Sequence, residues 1–271
     1  PFLIAGYLLS TLARPLVAYS GHWLTVLLIR LADRTGKGLR TAPRDALIAD
    51  SVDDASAGRA YGLTRALDHA GAVLGALTAA AILHWGTEHL AVVIALSAVP
   101  GLLAVALIAA AVREPVHAPR PHTPPPPLRW GLLGPHLRRY LLLIALFALG
   151  RIPETFLLLR GHELGLSPVS LLLLWAGLQT LKSRVAEIAG RWATRARRHA
   201  LILAGWALYA LALAGLAGSG SIEELCYFAL MMAGYYGLTE TSERALIRDL
   251  APVNQYGTAF GWYHLFSGVA A

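Results

Sequence analysis

The chain has 271 residues, of which 56% are hydrophobic and only 14% are charged. A soluble globular domain carries roughly 25% charged residues, so this composition argues against a soluble domain and favours a membrane protein. A single cysteine, Cys226, excludes an internal disulfide, and no metal-ligand cluster, phosphate-binding loop or nucleophile motif is visible. We therefore predict no cofactor, no metal and no enzymatic activity.

Apolar segments follow one another along the whole chain, and a membrane-spanning helix needs about 20 such residues. Leu and Ala dominate these segments and strand-like alternation is absent, so the sequence predicts an all-α polytopic membrane protein. The nine predicted spans cover residues 1–19, 22–41, 58–83, 89–111, 139–160, 167–189, 199–217, 223–243 and 257 to the end.

Basic residues are concentrated in alternate connections between these spans. Most of the 23 Lys and Arg residues lie in the stretches 30–65, 113–139 and 182–198, whereas the opposite connections carry only Arg160. The positive-inside rule assigns the basic side to the cytoplasm. We therefore predict a multi-pass protein of the cytoplasmic (inner) membrane, surrounded by the lipid bilayer, and the net charge of +7 does not predict nucleic-acid binding.

One block of sequence occurs twice in a single register. Residues 46–50 recur as 245–249, and residues 58–62 recur as 257–261, in both cases 199 positions later. Parallel repeats in apolar sequence are typical of one large group of secondary transporters. The repeat predicts a membrane protein built from two like halves.

A proline-rich stretch, with four consecutive prolines at 124–127, separates the two copies. Such a segment is extended and packs poorly. We predict that residues 113–138 form a cytoplasmic linker between part of an N-terminal half, residues 1–112, and part of a C-terminal half, residues 139–271.

The stretch from Arg30 to Asp45, RLADRTGKGLRTAPRD, resembles the fourth helix and following cytoplasmic loop of a bacterial branch of the major facilitator superfamily. The resemblance extends over the whole chain. It implies two six-helix bundles around a central cavity and alternating access by rocking of the halves. It also assigns the visible helices to family positions three to eleven, so we expect a fragment without helices one, two and twelve.

A second motif lies in the third predicted span, where Gly62, Gly71 and Gly75 are followed by further small residues. This spacing resembles the antiporter motif of the superfamily, although Ala76 replaces its proline. Small residues at such spacing let two helices approach closely. The resemblance implies efflux by antiport, and the alternative interpretation is ordinary small-residue helix packing.

A third motif, Gly190 to Arg198, is similar to the loop that the family has between helices eight and nine. Thr194 occupies the place of the expected acid. We therefore expect that a gating charge pair using that acid is lost in this half.

Charged residues at bilayer depth cost about 2.5–3.5 kcal/mol on insertion scales, so they usually face a cavity and have a role. Arg30, Asp33 and Arg34 share one helical face of the second span and predict a basic cavity wall, with Asp33 paired to Arg30 or Arg34. The resemblance implies a link to proton coupling for Arg30. The alternative is a set of topology determinants and structural salt bridges.

Asp68 lies near the middle of the third span, one turn after Arg65. Burial raises the pKa of a carboxyl group and a neighbouring Arg lowers it, so we predict that Asp68 carries a proton. The alternative is a permanent ion pair between Asp68 and Arg65.

Arg151 and Glu154 flank Pro153 at the centre of the fifth span. A proline there bends a helix and frees backbone groups, so this charged pair is a candidate substrate site. The alternative is a self-neutralised structural pair. Gln179 and Lys182 in the sixth span are weaker candidates.

Glu240 and Glu243 in the eighth span predict an acidic wall opposite the basic one, with Tyr236 lining the same cavity. The alternatives are carboxylates already satisfied in the interface and an aromatic ring used for packing. Together with the family resemblance, which implies alternating access, these patterns lead us to expect a monomeric secondary transporter that exports a small molecule in exchange for protons. Uptake of an organic anion or metabolite coupled to another ion, and a non-transporting membrane scaffold or sensor, are the alternatives.

Overall fold

The computed structural model describes residues 2–53, 55–86, 89–111, 129–252 and 255–269. Within these ranges the chain forms α-helices, two short 3-10 turns at Val17–Tyr19 and Trp130–Leu132, and no strands. The helices are α1 (Phe2–Leu16), α2 (Trp23–Ser51), α3 (Ala57–Trp85), α4 (Leu90–Leu96), α5 (Ala98–Ala111), α6 (Pro135–Leu149), α7 (Thr155–Glu163), α8 (Pro168–Trp192), α9 (Arg198–Gly218), α10 (Ile222–Leu250) and α11 (Tyr256–Val269). The predicted all-α fold class is confirmed.

Every predicted span coincides with one helix or with two consecutive ones. The span 22–41 was placed too short, because α2 continues through Pro43 to Ser51. The span 89–111 is divided into α4 and α5 at Ser97, and the span 139–160 into α6 and α7 around Pro153. The predicted bend at Pro153 is therefore a complete interruption of the helix.

Among the described residues, three stretches are long and apolar enough to cross a membrane, namely Ala57–Trp85, Leu90–Ala110 and Arg198–Gly218. This is fewer than the nine spans predicted from the sequence. Helices α2, α8 and α10 have sufficient length, but they carry more polar and charged side chains. Helices α1, α6, α7 and α11 are shorter than the 18 residues that this criterion requires.

The predicted linker is only partly described. Residues 113–128 lie outside the described residues, and α6 already begins at Pro135, inside the predicted range 113–138. The proline fits the first turn of a helix, where its missing N–H leaves no intrahelical hydrogen bond unmade.

The chain divides into two compact units. The first comprises Pro1–Leu47, Thr87–Ala148 and Val253–Ala270, and the second comprises Ile48–Gly86 and Leu149–Pro252. In the first unit α1 packs on α4 and α5, whereas in the second α8 packs on α3 and α10, and α10 also packs on α9. Because α3 precedes the proline-rich stretch and α8 follows it, the second unit contains parts of both predicted halves. The division into halves by the repeat stays a prediction.

Close packing of α3 on α8 depends on Gly62. A Cβ atom added at Gly62 would lie 2.7 Å from the Cα atom of Gly190 and 2.9 Å from the carbonyl oxygen of Ala186. A Cβ atom added at Gly71 or Gly75 would meet nothing within 4 Å in the described structure. Of the three glycines predicted to pack helices, only Gly62 makes a close approach here.

Candidate substrate and coupling site

His69 is the centre of a polar cluster in the second unit. Its Nδ1 atom lies 2.7 Å from Oε1 of Gln179 on α8, and its Nε2 atom lies 3.3 Å from Oε2 of Glu240 on α10. Oxygen atoms therefore face both ring nitrogens, and rotation of the Gln179 amide would offer the neutral ring a donor. Three helices thus meet at a side chain that can hold or release a proton.

Lys182 occupies the next turn of α8 and is only 2% exposed. Its Nζ atom forms a short ion pair with Glu154, which precedes the first residue of α7. The same atom lies 4.4 Å from the ring centroid of Tyr236 and 5.3 Å from that of Trp175. A carboxylate and two aromatic rings therefore surround the ammonium group.

This arrangement corrects the expected pairing of Glu154. We considered Arg151 as its partner because the two residues are close in sequence, but the structure pairs Glu154 with Lys182 and places Arg151 beside Tyr235. The interruption of the helix at Pro153 is the physical reason, because the two residues no longer share one helical face. The contact between Glu154 and Lys182 joins two separate helical elements, so spacing along one helix does not reveal it.

Tyr209 compensates for the interrupted helix. Its hydroxyl oxygen accepts a hydrogen bond of 2.7 Å from the N–H of Ile152, a donor that an unbroken helix would have satisfied internally. The ring of Tyr209 lies 4.7 Å from that of Tyr235, which in turn lies 4.7 Å from the ring of Tyr236. An aromatic row thus connects the interruption with the side chain that contacts Lys182.

The two predicted acidic residues of α10 face different partners. Glu240 contacts His69, whereas Glu243 is buried and accepts a hydrogen bond of 3.4 Å from Nε1 of Trp206 on α9. The two side chains are about 60° apart around the axis of α10, and one lies against α3 while the other lies against α9. The predicted acidic wall is therefore divided between two neighbouring helices.

Asp68 forms an ion pair of 3.0 Å with Arg65, as the alternative interpretation of this pair expected. The Asp68 side chain is 41% exposed, whereas its neighbour His69 points to α8 and α10. One residue along a helix turns the side chain by about 100°, which separates these two roles. The sequence showed both residues, but not which of them faces the cluster.

Arg30, Asp33 and Arg34 belong to the first unit. Asp33 pairs with Arg14 of α1, whose Nε atom lies 2.9 Å from Oδ1, rather than with Arg30 or Arg34 as predicted. Arg30 and Arg34 are exposed. The hydroxyl of Ser10 also donates a hydrogen bond to the main-chain oxygen of Asp33, so two side chains of α1 bind this residue of α2.

Arg198, the last residue of the motif that has Thr194 in place of the expected acid, forms a buried ion pair. The Arg198 side chain is 1% exposed, forms a short ion pair with Asp249 at the end of α10, and donates to the main-chain oxygen of Ala193 at 3.0 Å. Nearby, Arg248 donates to the main-chain oxygen of Ala49 at 3.1 Å. The charge of Arg198 is thus paired with a carboxylate of α10.

An apolar cavity of about 320 Å³ lies next to the interruption, between α7, α9 and α10. Its wall includes Pro153, Phe156, Leu213 and Met232, and the charged cluster around Lys182 does not line it. In the described ranges, no group of three or more His, Cys, Asp or Glu side chains could hold a metal ion.

Apolar helices that enclose buried, paired charges are typical of membrane proteins that transport a solute. The chain belongs to the major facilitator superfamily, because the model of that family matches residues 1–271. Members of this superfamily are transporters and not enzymes, so the predicted family and the absence of enzymatic activity are both confirmed.

The chain is similar in sequence to two relatives and in fold to one solved structure. The uncharacterized MFS-type transporter MJ1317 of Methanocaldococcus jannaschii is 25% identical over 281 residues, which cover 100% of this chain and 69% of that protein. The uncharacterized protein Rv2265 of Mycobacterium tuberculosis is 33% identical over 106 residues, which cover 39% of this chain and 26% of the relative. The human organic anion transporter MFSD10 has a similar fold, with a TM-score of 0.67 and 14% identity over 99% of this chain and 68% of its own.

Proposed function

We propose that this protein exports a small molecule across the cytoplasmic membrane in exchange for protons, and that His69 and Glu240 carry the proton. The observation that supports this proposal is the position of His69 between Gln179 and Glu240, beside the ion pair of Lys182 and Glu154. We further propose that the protein acts as a monomer with its basic loops in the cytoplasm.

Buried charges explain how a proton could be coupled to movement of the substrate. A buried charge is strongly destabilising unless it is paired, so a proton that binds to Glu240 would remove the partner of His69 and change which helices attract each other. A ligand or proton shifts a conformational equilibrium only by its differential affinity for the two states. His69 contacts two helices through its two ring nitrogens, so its protonation state can bias the arrangement of α3 against α8 and α10.

The direction of transport is argued from α3. The spacing of its glycines, Gly62, Gly71 and Gly75, resembles the antiporter motif, which favours export. Uptake of an organic anion is the second candidate, favoured by the exposed Arg30 and Arg34 on α2. Intact cells that express the full-length protein should accumulate less substrate under the first proposal and more under the second.

The proton coupling is tested in everted membrane vesicles that contain the full-length protein. A pH gradient is imposed, and its collapse is followed while lipophilic cations, organic acids and metabolites are added in turn. We expect one compound to discharge the gradient with the parent protein, and His69→Gln and Glu240→Gln to abolish the discharge while substrate exchange without a gradient continues. Asp68→Asn on the same helix is measured beside them, because the sequence predicts a proton carrier at that position; under this proposal it should discharge the gradient like the parent.

Two results would contradict the proposal. Unchanged gradient discharge by His69→Gln would exclude this residue as the proton carrier. If no compound discharges the gradient although the protein is folded and inserted, the alternatives of uptake with another ion or of a non-transporting scaffold or sensor gain support.

A further inference from the structure

The surroundings of Lys182 have the composition of a binding site for a cation. The Nζ atom is paired with the Glu154 carboxylate and lies over the rings of Tyr236 and Trp175 at 4.4 and 5.3 Å. Aromatic faces combined with a carboxylate bind organic ammonium ions, because the ring quadrupole and the negative charge both attract the cation. Here the ammonium group belongs to the protein itself.

We propose that Glu154, Trp175 and Tyr236 form a binding site for an alkylammonium substrate, and that Lys182 fills this site when the substrate is absent. This inference rests on the proposed transport function, for which it names the class of substrate. A lysine suits such a role because its ammonium group is a compact charge on a flexible four-carbon stem, so the charged end can leave while the stem stays in place.

A cation fits these surroundings better than an anion does. An anion would have to displace Glu154 from Lys182 and would then face the negative ring faces of Tyr236 and Trp175. A second carboxylate, that of Glu240, belongs to the same cluster through its contact with His69. Glu154 is 20% exposed although Lys182 is almost completely buried, so a ligand can reach the carboxylate before the lysine moves.

Lys182 acts in this scheme as a tethered competitor. The apparent affinity equals the intrinsic affinity multiplied by the fraction of protein whose site is vacant. A lysine that fills the site most of the time therefore weakens binding. Removal of its charge should therefore strengthen binding of an alkylammonium ion, whereas a lysine that served an anionic substrate would give the opposite result.

The test is calorimetric titration of the purified full-length protein in lipid nanodiscs, without any gradient, with n-butylammonium as the probe. Butan-1-ol and butanoate are the neutral and the anionic comparison. We expect the parent to bind only n-butylammonium, Lys182→Gln to bind it about tenfold or more tightly, and Glu154→Gln to lose binding. Lys37→Gln changes the chain's other lysine, which is exposed on α2, and should bind like the parent.

Three outcomes would overturn the proposal. The first is preferential binding of butanoate that the variant Lys182→Gln abolishes. The second is equal binding of n-butylammonium by the parent and by Lys182→Gln. The third is binding of n-butylammonium by Lys182→Gln alone, which would make Lys182 a permanent structural cation. If the variant Lys182→Gln does not fold, Trp175→Leu is measured in its place. This variant should bind n-butylammonium several-fold more weakly than the parent. Because no gradient is present, a failure here is independent of proton coupling.

Discussion

The contact between Gly62 and Gly190 allows the same substitution to be compared at close-packed and open positions of one helix. Gly62→Ala would place a Cβ atom 2.7 Å from the Cα atom of Gly190, and this neighbour is backbone that cannot rotate away. Overpacking of this kind costs about 1–3 kcal/mol. At Gly75 an added Cβ atom meets nothing within 4 Å, so Gly75→Ala should instead stabilise the helix by about 1 kcal/mol or less through its better helix propensity.

The measurement is the thermal unfolding midpoint of the full-length protein in one detergent, followed by circular dichroism. The expected order is Gly62→Ala below the parent and Gly75→Ala at or above it, with Gly71→Ala as a second open position. Equal midpoints for Gly62→Ala and Gly75→Ala would refute the reasoning, because α3 and α8 would then not approach as closely as the structure places them.

Two further predictions concern the ends of helices. Arg198→Gln leaves the Asp249 carboxylate without its buried partner and should destabilise the protein by about 3–5 kcal/mol. Arg195→Gln removes a side chain that is 72% exposed and should cost about 0–1 kcal/mol. Similar thermal unfolding midpoints for the two variants would contradict this prediction. Hydrogen bonds from Ser56 lower the pKa of the exposed Asp53 carboxyl group below its usual value. The ionised carboxylate therefore stabilises the folded protein at pH values above the pKa that Asp53 has in the unfolded chain. This stabilisation is lost as the pH falls through the pKa that Asp53 has in the folded protein. Asp53→Asn should therefore unfold with a smaller dependence on acidic pH than the parent, and identical pH profiles would exclude a contribution from this carboxylate.

The helices could be predicted well because their signals are local. Apolar runs of about 20 residues and the turn residues between them fix where a helix can begin and end. Errors arose where local signals compete, as at Pro43, which lies inside α2 although proline usually ends a helix. In membrane proteins, neighbouring groups can satisfy the backbone that a proline frees.

The site was harder to predict because its pairs are not local. Arg65 and Asp68 are one turn apart, so the sequence alone shows that they lie within reach of each other, and the structure pairs them. Lys182 and Glu154 lie 28 residues apart on elements that the sequence does not orient towards each other. The position of His69 against Glu240 likewise depends on how α3 packs on α10, which no spacing within one helix reveals.

The contact of Arg248 with Ala49 connects the repeat with the structure. The two residues are 199 positions apart, which is the offset of the repeat, so Arg248 donates its hydrogen bond to the residue that corresponds to it in the other copy. In a two-fold arrangement an element meets its own counterpart only close to the axis. The contact fits the prediction that the chain consists of two related halves. The side chains do not follow this symmetry, because the first copy has alanine where the second has arginine, so only one of the two related hydrogen bonds can form.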